Sequence, residues 1–568
     1  MSPDFGVADL MPEDDESASQ ETSAAEQPIQ HPLAVMSQRS MGWAALEVIA
    51  VVALFFIYAA DAPPMVNEAH YLVKAKNFWQ PDWCANDLFT ASGKAHTTFY
   101  FVFGWPTLFL SLEATAWIGR FAGWTLIAIG LYRLTTALVP MRFATLGVAI
   151  AWIAAVEYGN LAGEWVIGGI EAKVPAYGFV LLALAELVHR QWNRVWILLG
   201  IASAFHVLSG GWSVVAVAIA WLISERPREH RKPFFTPALF LGGAIALIGV
   251  LPALWLTMGG DAADSVRAAR IYTYYRLPHH LLPSNFQFHW YVRHAVLLGS
   301  AVGLAWLTRH QSEREQSERE QWNRIRGFAV GAIMIAVIGL MLGGLKTYSP
   351  DLAAKLLRYY WFRLSDAVVA LWFSLLLMRC ISLRHEAKSM FISGYAGLAI
   401  CVVLVGISSF DRMRLGVPPS ASNAMLGWDV DAPPAKQQRV FEDWLKVCDW
   451  VRLATDVDEV FLTPRHQQSF KWYAERAEVV NWKDVPQDSK SLDQWYRRFR
   501  EIYPVRLSTI RVTIHYQSLI EYREKYGVNY IVVDRRITGQ HMPLVRVYPL
   551  AENENQIYAV YELPYTMP

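Results

Sequence analysis

The stretch PALFLGGAIALIGVLPALWL, residues 237–256, decides the fold class of this chain. It contains no charged side chain, and a helix of about 20 apolar residues is long enough to cross the hydrocarbon core of a bilayer. The segment before it, SERPREHRKP at residues 224–233, is short and basic. An apolar run beside a basic loop is typical of a membrane-spanning helix whose basic end faces the cytoplasm.

This pattern repeats along the chain, which is 568 residues long with 54% hydrophobic and only 18% charged residues. Such a composition is too apolar for an ordinary soluble enzyme of this size. Several of the runs are shorter than a perpendicular span, so their ends extend into polar residues or the helices pack around an aqueous cavity. We interpret eleven runs as spans: 43–60, 114–131, 143–156, 174–188, 195–208, 212–223, 237–256, 291–307, 327–345, 364–378 and 390–410.

The loops between these runs predict an orientation. If the first span runs outward, the short basic loops all fall on the cytoplasmic side, as the positive-inside rule asks. The acidic, serine-rich residues 1–41 are then a disordered cytoplasmic tail. No Asn-x-Ser/Thr sequon occurs, which fits a bacterial inner membrane. The loops assigned to the cytoplasm are 133–142, 189–194, 224–233, 309–326 and 379–388.

One further apolar segment, FYFVFGWPTLFL at residues 99–110, is ambiguous. Counting it as a twelfth span would invert every later loop and place the basic ones outside. We therefore interpret it as an interfacial or re-entrant helix within a long first outer loop, 61–113, interrupted by Gly104 and Pro106. A true twelfth span is the alternative.

The character of the chain changes after residue 410. Residues 411–436, rich in proline, are interpreted as a linker that ends the transmembrane domain, 42–410. In residues 437–568, helical patterns alternate with short β-rich runs, which predicts a small α/β domain with a sheet flanked by helices. With eleven spans before it, this domain is extracytoplasmic. The β-rich runs are EVFLTP, AEVVNW, NYIVVD and QIYAVYEL.

Ionisable residues are costly at a membrane boundary, so their clustering in the predicted outer loops is informative. Carboxylates occupy the early outer loops, whereas arginines and histidines occupy the late ones. In sugar transfer from a lipid phosphate, a carboxylate removes the proton of the acceptor hydroxyl and cations stabilise the departing phosphate. The residues concerned are Asp61, Glu68, Glu164, Glu171, Lys173, Arg276, His279, His280, Arg358 and Arg363.

Several short motifs together resemble one known class. They are NEAHY at 67–71, near the DE-x-x-Y type, an arginine early in the next span (Arg120 in WIGR), and the outer C-terminal domain. The chain thereby resembles the GT-C superfamily of polyprenyl-phosphate-sugar-dependent glycosyltransferases. It is also similar to a bacterial family within that group through HVLSGGW, RLPHHLLP and FKWYAERAEVVNWKDVP.

The resemblance implies a GT-C-like fold and a lipid-linked sugar donor. By position it places the catalytic carboxylate at Glu68, with Asp61 and Glu171 as further catalytic candidates. Asn67 stands where many relatives carry an aspartate. Glu68 with Glu164 or Glu171 offers oxygen ligands for Mg²⁺ or Mn²⁺. The candidates for substrate binding are Arg120, Glu164, Lys173, Arg276, His279, His280, Arg358 and Arg363.

Other interpretations stay open at this stage. Glu171 and Lys173 are close enough to form a structural ion pair, and arginines at an interface commonly extend to lipid headgroups. A transporter or flippase of a lipid-linked or anionic solute is one alternative function. A non-enzymatic envelope assembly protein is another. The near balance of 51 basic and 50 acidic residues indicates no nucleic-acid partner. Membrane lipids are expected partners, whereas the sequence names neither the sugar nor the acceptor.

Overall fold

A computed structural model describes residues 41–65, 67–226, 229–258, 261–309, 316–383, 388–419, 431–503, 515–539 and 542–565. The predicted tail, 1–41, lies outside the described residues except for Met41. The helices of the first half are α1 (Met41–Ala59), α2 (Glu68–Trp79), α3 (Leu88–Ala91), α4 (Thr97–Gly104), α5 (Leu112–Leu138), α6 (Ala144–Gly159), α7 (Lys173–Val188), α8 (Trp192–Phe205) and α9 (Val207–Ser224).

The second half of the membrane region continues the bundle. Its helices are α10 (Pro237–Met258), α11 (Ala262–Arg270), α12 (Pro278–Leu281), α13 (Phe288–Arg309), α14 (Gln316–Gly344), α15 (Pro350–Leu357), α16 (Arg363–Ser382) and α17 (Lys388–Leu415). A π-helical turn, Ile271–Arg276, follows α11, and short 3-10 turns occur at Trp105–Leu108, Pro283–Asn285 and Leu345–Thr347.

Every one of the eleven predicted runs is helical. In the described residues, seven helices are long and apolar enough to cross a membrane, namely α1, α5, α9, α10, α14, α16 and α17, and α6 is a shorter apolar helix. Helix α7 has only 16 residues, and almost all of them are buried. Because its neighbours surround it, it need not match the thickness of the bilayer. The prediction of a polytopic helical membrane protein is confirmed.

Glycine allows two of these helices to touch backbone to backbone. A Cβ atom added to Gly200 in α8 would lie 2.3 Å from the carbonyl oxygen of Gly242 in α10. One added to Gly249 would lie 2.3 Å from the carbonyl oxygen of Ala204. Small residues at such crossings let helices approach closely in membranes, where packing replaces the hydrophobic effect between helices. Helix α10 is thereby held against α8 and forms one outer wall of the bundle.

The predicted basic loops gather at one end of the bundle. Arg190 forms a two-pronged ion pair with Glu225, with N–O distances of 2.7 and 2.6 Å. Arg133 contacts Glu186 at 2.5 Å, and Arg324 donates to the carbonyl of Val188 at 2.7 Å. These contacts join loops that the sequence placed on one side of the membrane, as an alternating eleven-helix topology requires.

The ambiguous segment 99–110 does not span. Helix α4 has eight residues, about 12 Å of rise, and is followed directly by a 3-10 turn containing Pro106. The Trp79 indole of α2 donates to the carbonyl of Tyr100 at 2.9 Å, which fixes α4 against α2. Phe101 and Phe109 are exposed. These two short helical elements are too short to cross a bilayer, and the place of the segment in an outer loop stays a prediction.

The C-terminal region is a small α/β domain, as predicted. Its strands are β1 (Val460–Leu462), β2 (Ala477–Glu478), β3 (Val528–Asp534), β4 (Arg546–Tyr548) and β5 (Tyr558–Glu562), in the sheet order β2-β1-β3-β5-β4. Strands β1, β2 and β3 are parallel, whereas β5 is antiparallel to β3 and β4. The sequence missed β4. The helices are α18 (Pro434–Ala454), α19 (Phe470–Ala474), α20 (Ser489–Ile502), α21 (Tyr516–Tyr526) and α22 (Arg535–Thr538).

Helices extend into the predicted linker, 411–436, from both of its ends. Helix α17 continues to Leu415 and α18 begins at Pro434, and residues 420–430 lie outside the described residues. The domain nevertheless packs on the first outer loop. Lys471 contacts Asp87 at 3.1 Å, and it also contacts Glu478 at 2.6 Å and Asp484 at 2.7 Å. These three buried carboxylates raise the pKa of Lys471 well above its usual value, so the lysine joins loop and domain as a cation.

Candidate functional site

The early and late outer loops meet in a row of buried charges. Asn67 donates from its side-chain amide to Glu171 at 2.8 Å, and Lys173 contacts the other oxygen of Glu171 at 2.9 Å. Lys173 also donates to Glu164, whose second oxygen lies 3.5 Å from Arg363. Three segments far apart in the sequence thus supply one continuous row, Asn67–Glu171–Lys173–Glu164–Arg363, which we call the charge row. Residues of three predicted outer loops therefore meet here.

Glu68 lies next to this row but faces a different set of partners. Its carboxylate receives two donors from Arg120, at 2.7 and 2.5 Å, and the backbone N–H groups of Met65 and Ile170, at 2.7 and 2.8 Å. Glu68 and Arg120 are both fully buried. Gly169 makes this contact possible, because a Cβ there would lie 2.7 Å from the Glu68 carboxyl carbon. The pair holds α2 against the loop that carries Glu171, which is a structural role.

Asp61 lies apart from the charge row. Its carboxylate contacts Arg412 at 3.2 Å, and Arg412 also donates to the Tyr58 hydroxyl, which donates to Glu157 at 2.9 Å. Asp61 and Tyr58 border a cavity of about 460 Å³ that Glu164 also lines. Glu164 therefore borders this space with one face and pairs with the cations of the charge row.

A second cavity, of about 290 Å³, lies on the Arg363 side of the charge row. Helix α10 supplies an apolar wall through Val250, Ala253 and Leu254. The remaining lining includes polar and cationic groups, namely Tyr71, His96, Tyr360, Arg358, Arg363 and Gln487. The cavity is amphiphilic, with a hydrocarbon-like side from a membrane helix and a side that carries two guanidinium groups. We call it the amphiphilic cavity.

His96 acts as a neutral hydrogen-bonding group in this cavity. The rings of His96 and His206 stack with centroids 5.3 Å apart. Burial lowers the pKa of His96 to about 3, so this imidazole is uncharged at neutral pH. It lies 3.4 Å from the Tyr71 hydroxyl and 3.2 Å from the amide of Gln487. Gln487 belongs to the C-terminal domain, which therefore completes the cavity.

Arg276 and the histidine pair bring the late outer loop to the same place. Arg276 donates to the carbonyl of Trp482 at 2.9 Å and lies over its indole ring. His280 contacts the carbonyl of Ala162 at 2.6 Å, and burial lowers its pKa to about 2. His279 is exposed. Of these predicted residues, Arg276 connects the late outer loop to the C-terminal domain, His280 connects it to the loop that carries Ala162, and His279 faces outward.

Sequence reasoning missed Lys483, which lies at the domain side of the site. Burial, and then the nearby charge of Arg276, lower the pKa of Lys483 to about 8, whereas Glu171 and Asp484 act in the opposite direction. Its position in the motif FKWYAERAEVVNWKDVP was a signal that could have been used. A lysine with such a pKa changes charge near physiological pH, so it is a candidate member of the site.

Tyr360 and Tyr272 were also missed. Their hydroxyl groups lie 2.9 Å apart, and the guanidinium of Arg363 lies 3.8 Å from the Tyr360 ring centroid. Tyr360 has a φ of 54°, a left-handed conformation that a bulky residue rarely adopts. Such strained residues concentrate at functional sites. The Arg363 guanidinium lies against the aromatic face of Tyr360, and both residues line the amphiphilic cavity.

The carboxylates predicted as metal ligands are occupied by cationic side chains. Glu68 pairs with Arg120, Glu171 with Lys173, and Glu164 with Lys173 and Arg363. Among the described residues, no group of three or more His, Cys, Asp or Glu side chains is placed to hold a metal ion. Because their oxygens are already paired with cations, these carboxylates do not fit Mg²⁺ or Mn²⁺ in this arrangement. Metal dependence stays a prediction.

Comparisons with known proteins give a local and a global result. A family model described as a domain of unknown function, DUF6798, matches residues 442–502, which include Lys471, Lys483 and Gln487. Among curated proteins, none matches the chain. One similar solved structure is ArnT from Cupriavidus metallidurans bound to undecaprenyl phosphate, with 13% identity over 92% of this chain and 98% of that chain and a TM-score of 0.47.

Two further structures are similar over most of the chain. They are the oligosaccharyltransferase of Archaeoglobus fulgidus, with 11% identity over 87% of this chain and 68% of that chain and a TM-score of 0.38, and ArnT from Cupriavidus metallidurans in the apo state, with 13% identity, 92% and 98% coverage and a TM-score of 0.34.

Proposed function

We propose that this chain is a membrane glycosyltransferase that transfers a sugar from a polyprenyl-phosphate donor to an acceptor at the extracytoplasmic face of a bacterial inner membrane. The observation that carries the proposal is the amphiphilic cavity. A lipid phosphate has an apolar chain and an anionic head, and this cavity is lined both by apolar residues of α10 and by Arg358 and Arg363. Guanidinium groups are well suited to phosphate oxygens, which they bind in a bidentate manner.

In this proposal the cations act on the leaving group. The oxygen of the acceptor hydroxyl forms a bond to the anomeric carbon, and the bond between that carbon and the phosphate oxygen breaks. The electron pair of this bond leaves with the lipid phosphate, whose charge Arg363 and Arg358 stabilise. Such preorganised charges are worth more in a buried site than in water. Lys173 and Lys483 lie behind them and add positive potential.

The acceptor proton goes to a carboxylate, and Glu171 is the best placed of the three predicted candidates. Glu68 already accepts four N–H donors and is sealed by Arg120. Asp61 lies apart, in contact with Arg412. Glu171 receives one neutral donor from Asn67 and one cation, Lys173. A one-step displacement with this base inverts the anomeric centre. Glu68 and Arg120 then position α2 and Asn67 without touching the substrate.

The test is donor turnover by the purified full chain. We expect label to leave the lipid fraction when the protein is incubated with a panel of radiolabelled polyprenyl-phosphate sugars and an envelope extract as acceptor source. Arg363→Gln should lower the rate at least about 100-fold, the order of magnitude for losing one preorganised charge. The matched control is Arg194→Gln, an exposed arginine at the opposite end of the bundle. Equal rates in Arg363→Gln and the control would overturn the proposal.

A further inference from the structure

A polar cavity of about 510 Å³ lies at the opposite end of the bundle, among the basic loops. It forms where α13 ends, where α14 begins and where α16 ends. Four arginines line it, namely Arg309, Arg319, Arg326 and Arg379. Nothing in the proposed transfer reaction uses these residues, because the charge row lies at the other end. We call this space the arginine cavity.

Trp322 offers an unused hydrogen-bond donor beside the arginine cavity. This side chain lines the cavity and is only 6% exposed. Its indole Nε1–H is buried and has no hydrogen-bond partner among the described residues. A buried donor left without a partner costs free energy, and a hydrogen bond to an oxygen atom of a bound headgroup would offset this cost. The guanidinium of Arg379 lies 4.5 Å from the centroid of the Trp322 ring, so donor and cation are adjacent.

The position of the arginine cavity favours a lipid over a free ion. Ala305, Trp372 and Leu376 form its apolar part, and the neighbouring Trp306 and Leu307 are exposed on the outer surface of α13. A carboxylate, Glu318, contacts Arg379 at 3.3 Å and offsets part of the positive charge. The cavity therefore combines arginines with an apolar rim at the end of three membrane helices. Basic pockets of this kind between membrane helices bind anionic lipid headgroups.

We propose that the arginine cavity binds the phosphodiester headgroup of an anionic phospholipid, with the guanidinium groups and the Trp322 N–H as donors and the acyl chains along α13. This inference does not depend on the proposed glycosyltransferase activity. It assigns a structural lipid to the end of the bundle that carries the predicted cytoplasmic loops.

The experiment is a binding titration of the purified full chain in a neutral detergent. Short-chain phosphatidylglycerol, short-chain phosphatidylcholine and inorganic phosphate are compared as ligands, with bound lipid read by native mass spectrometry and bound phosphate by equilibrium dialysis with radiolabel. We expect phosphatidylglycerol to bind and the other two to bind at least tenfold more weakly. The double variant Arg309→Gln with Arg326→Gln should weaken phosphatidylglycerol binding at least tenfold, whereas Arg194→Gln should change it less than twofold.

A second variant guards against misfolding. Trp322→Phe keeps an aromatic ring and removes only the N–H donor, and it should weaken phosphatidylglycerol binding about two- to fivefold with the same elution volume in gel filtration. Equal binding of phosphatidylglycerol to the double variant and to the Arg194→Gln control would overturn the proposal. Binding of inorganic phosphate without binding of phosphatidylglycerol would overturn it as well, because the site would then serve a free anion.

Discussion

Two neighbouring clusters of charge at the same end of the bundle are built on opposite principles. Glu68 accepts four N–H donors, two of them from Arg120, so that each of its two carboxylate oxygens accepts two hydrogen bonds. The charge row, only one residue away through Asn67, alternates carboxylates and cations and ends at Arg363, which faces a cavity. The difference indicates that the fully hydrogen-bonded Glu68–Arg120 pair stabilises the fold, whereas the charge row, which ends at the amphiphilic cavity, can contact a substrate.

The largest effect, on thermal stability, should come from breaking the buried Glu68–Arg120 ion pair. Arg120→Ala leaves the buried Glu68 carboxylate without its counter-ion, and removing one partner of a buried pair costs about 3–5 kcal/mol. We expect a clear fall in the midpoint of thermal unfolding in detergent. Arg194→Ala, at an exposed arginine paired with Glu186, is the control and should leave the midpoint nearly unchanged. An Arg120→Ala protein as stable as this control would refute the scaffold role.

A somewhat smaller effect is expected at the contact between the C-terminal domain and the first outer loop. Lys471→Met removes the cation shared by Asp87, Glu478 and Asp484 and should cost about 3 kcal/mol. Because the contact joins two segments, we expect faster hydrogen exchange across residues 83–95 without loss of the helical bundle. Lys446→Met, at an exposed lysine paired within one helix, serves as the control. Unchanged exchange in Lys471→Met would show that the lysine does not hold the domain in place.

A matched pair of amide substitutions separates the two clusters directly. Glu171→Gln keeps the size and hydrogen bonding of the side chain while removing its basicity, so transfer should fall about 100-fold or more with little change in thermal stability. Glu68→Gln should instead lower the thermal midpoint, because the buried Arg120 then loses its counter-ion. The readouts are the rate of label leaving the lipid fraction and thermal unfolding. If Glu68→Gln alone abolished transfer in a fully stable protein, the roles would be reversed.

The smallest expected effect is on pH dependence. The pKa of Lys483 is lowered to about 8, so the lysine is charged below that pH and neutral above it. If its charge favours the lipid phosphate, the apparent KM for the donor should rise severalfold between pH 7 and pH 9. Lys483→Arg keeps the charge throughout this range and should flatten the profile. An identical rise in Lys483→Arg would exclude Lys483 as the titrating group.

Much of the fold could be predicted from the sequence, because hydrophobicity and charge along the chain are local quantities. The run 237–256 and ten others were all found as helices, and four of the five strands of the C-terminal domain were anticipated. The segment 99–110 forms only short helical elements, in line with the expectation from the loop charges that it does not span. Strand β4 was missed because a three-residue strand leaves almost no pattern.

For the candidate site, the sequence predicted some of the residues but not which of them are available to a substrate. The sequence supplied Glu164, Glu171, Lys173 and Arg363 as candidates, but it ranked Glu68 first from its place in a motif. Only the structure shows that Arg120 and two backbone N–H groups occupy Glu68. Lys483, Tyr360 and Gln487 went unrecognised because each comes from a segment whose local sequence shows nothing about its distant neighbours.

The sequence by itself determined which segments are apolar enough to form membrane helices and where a small α/β domain follows. These follow from the transfer of side chains between water and hydrocarbon, which each segment undergoes almost independently. Only the tertiary structure decided which charges are paired and which face a cavity, because a side chain's partners depend on contacts between residues more than a hundred positions apart, such as Asn67 and Glu171.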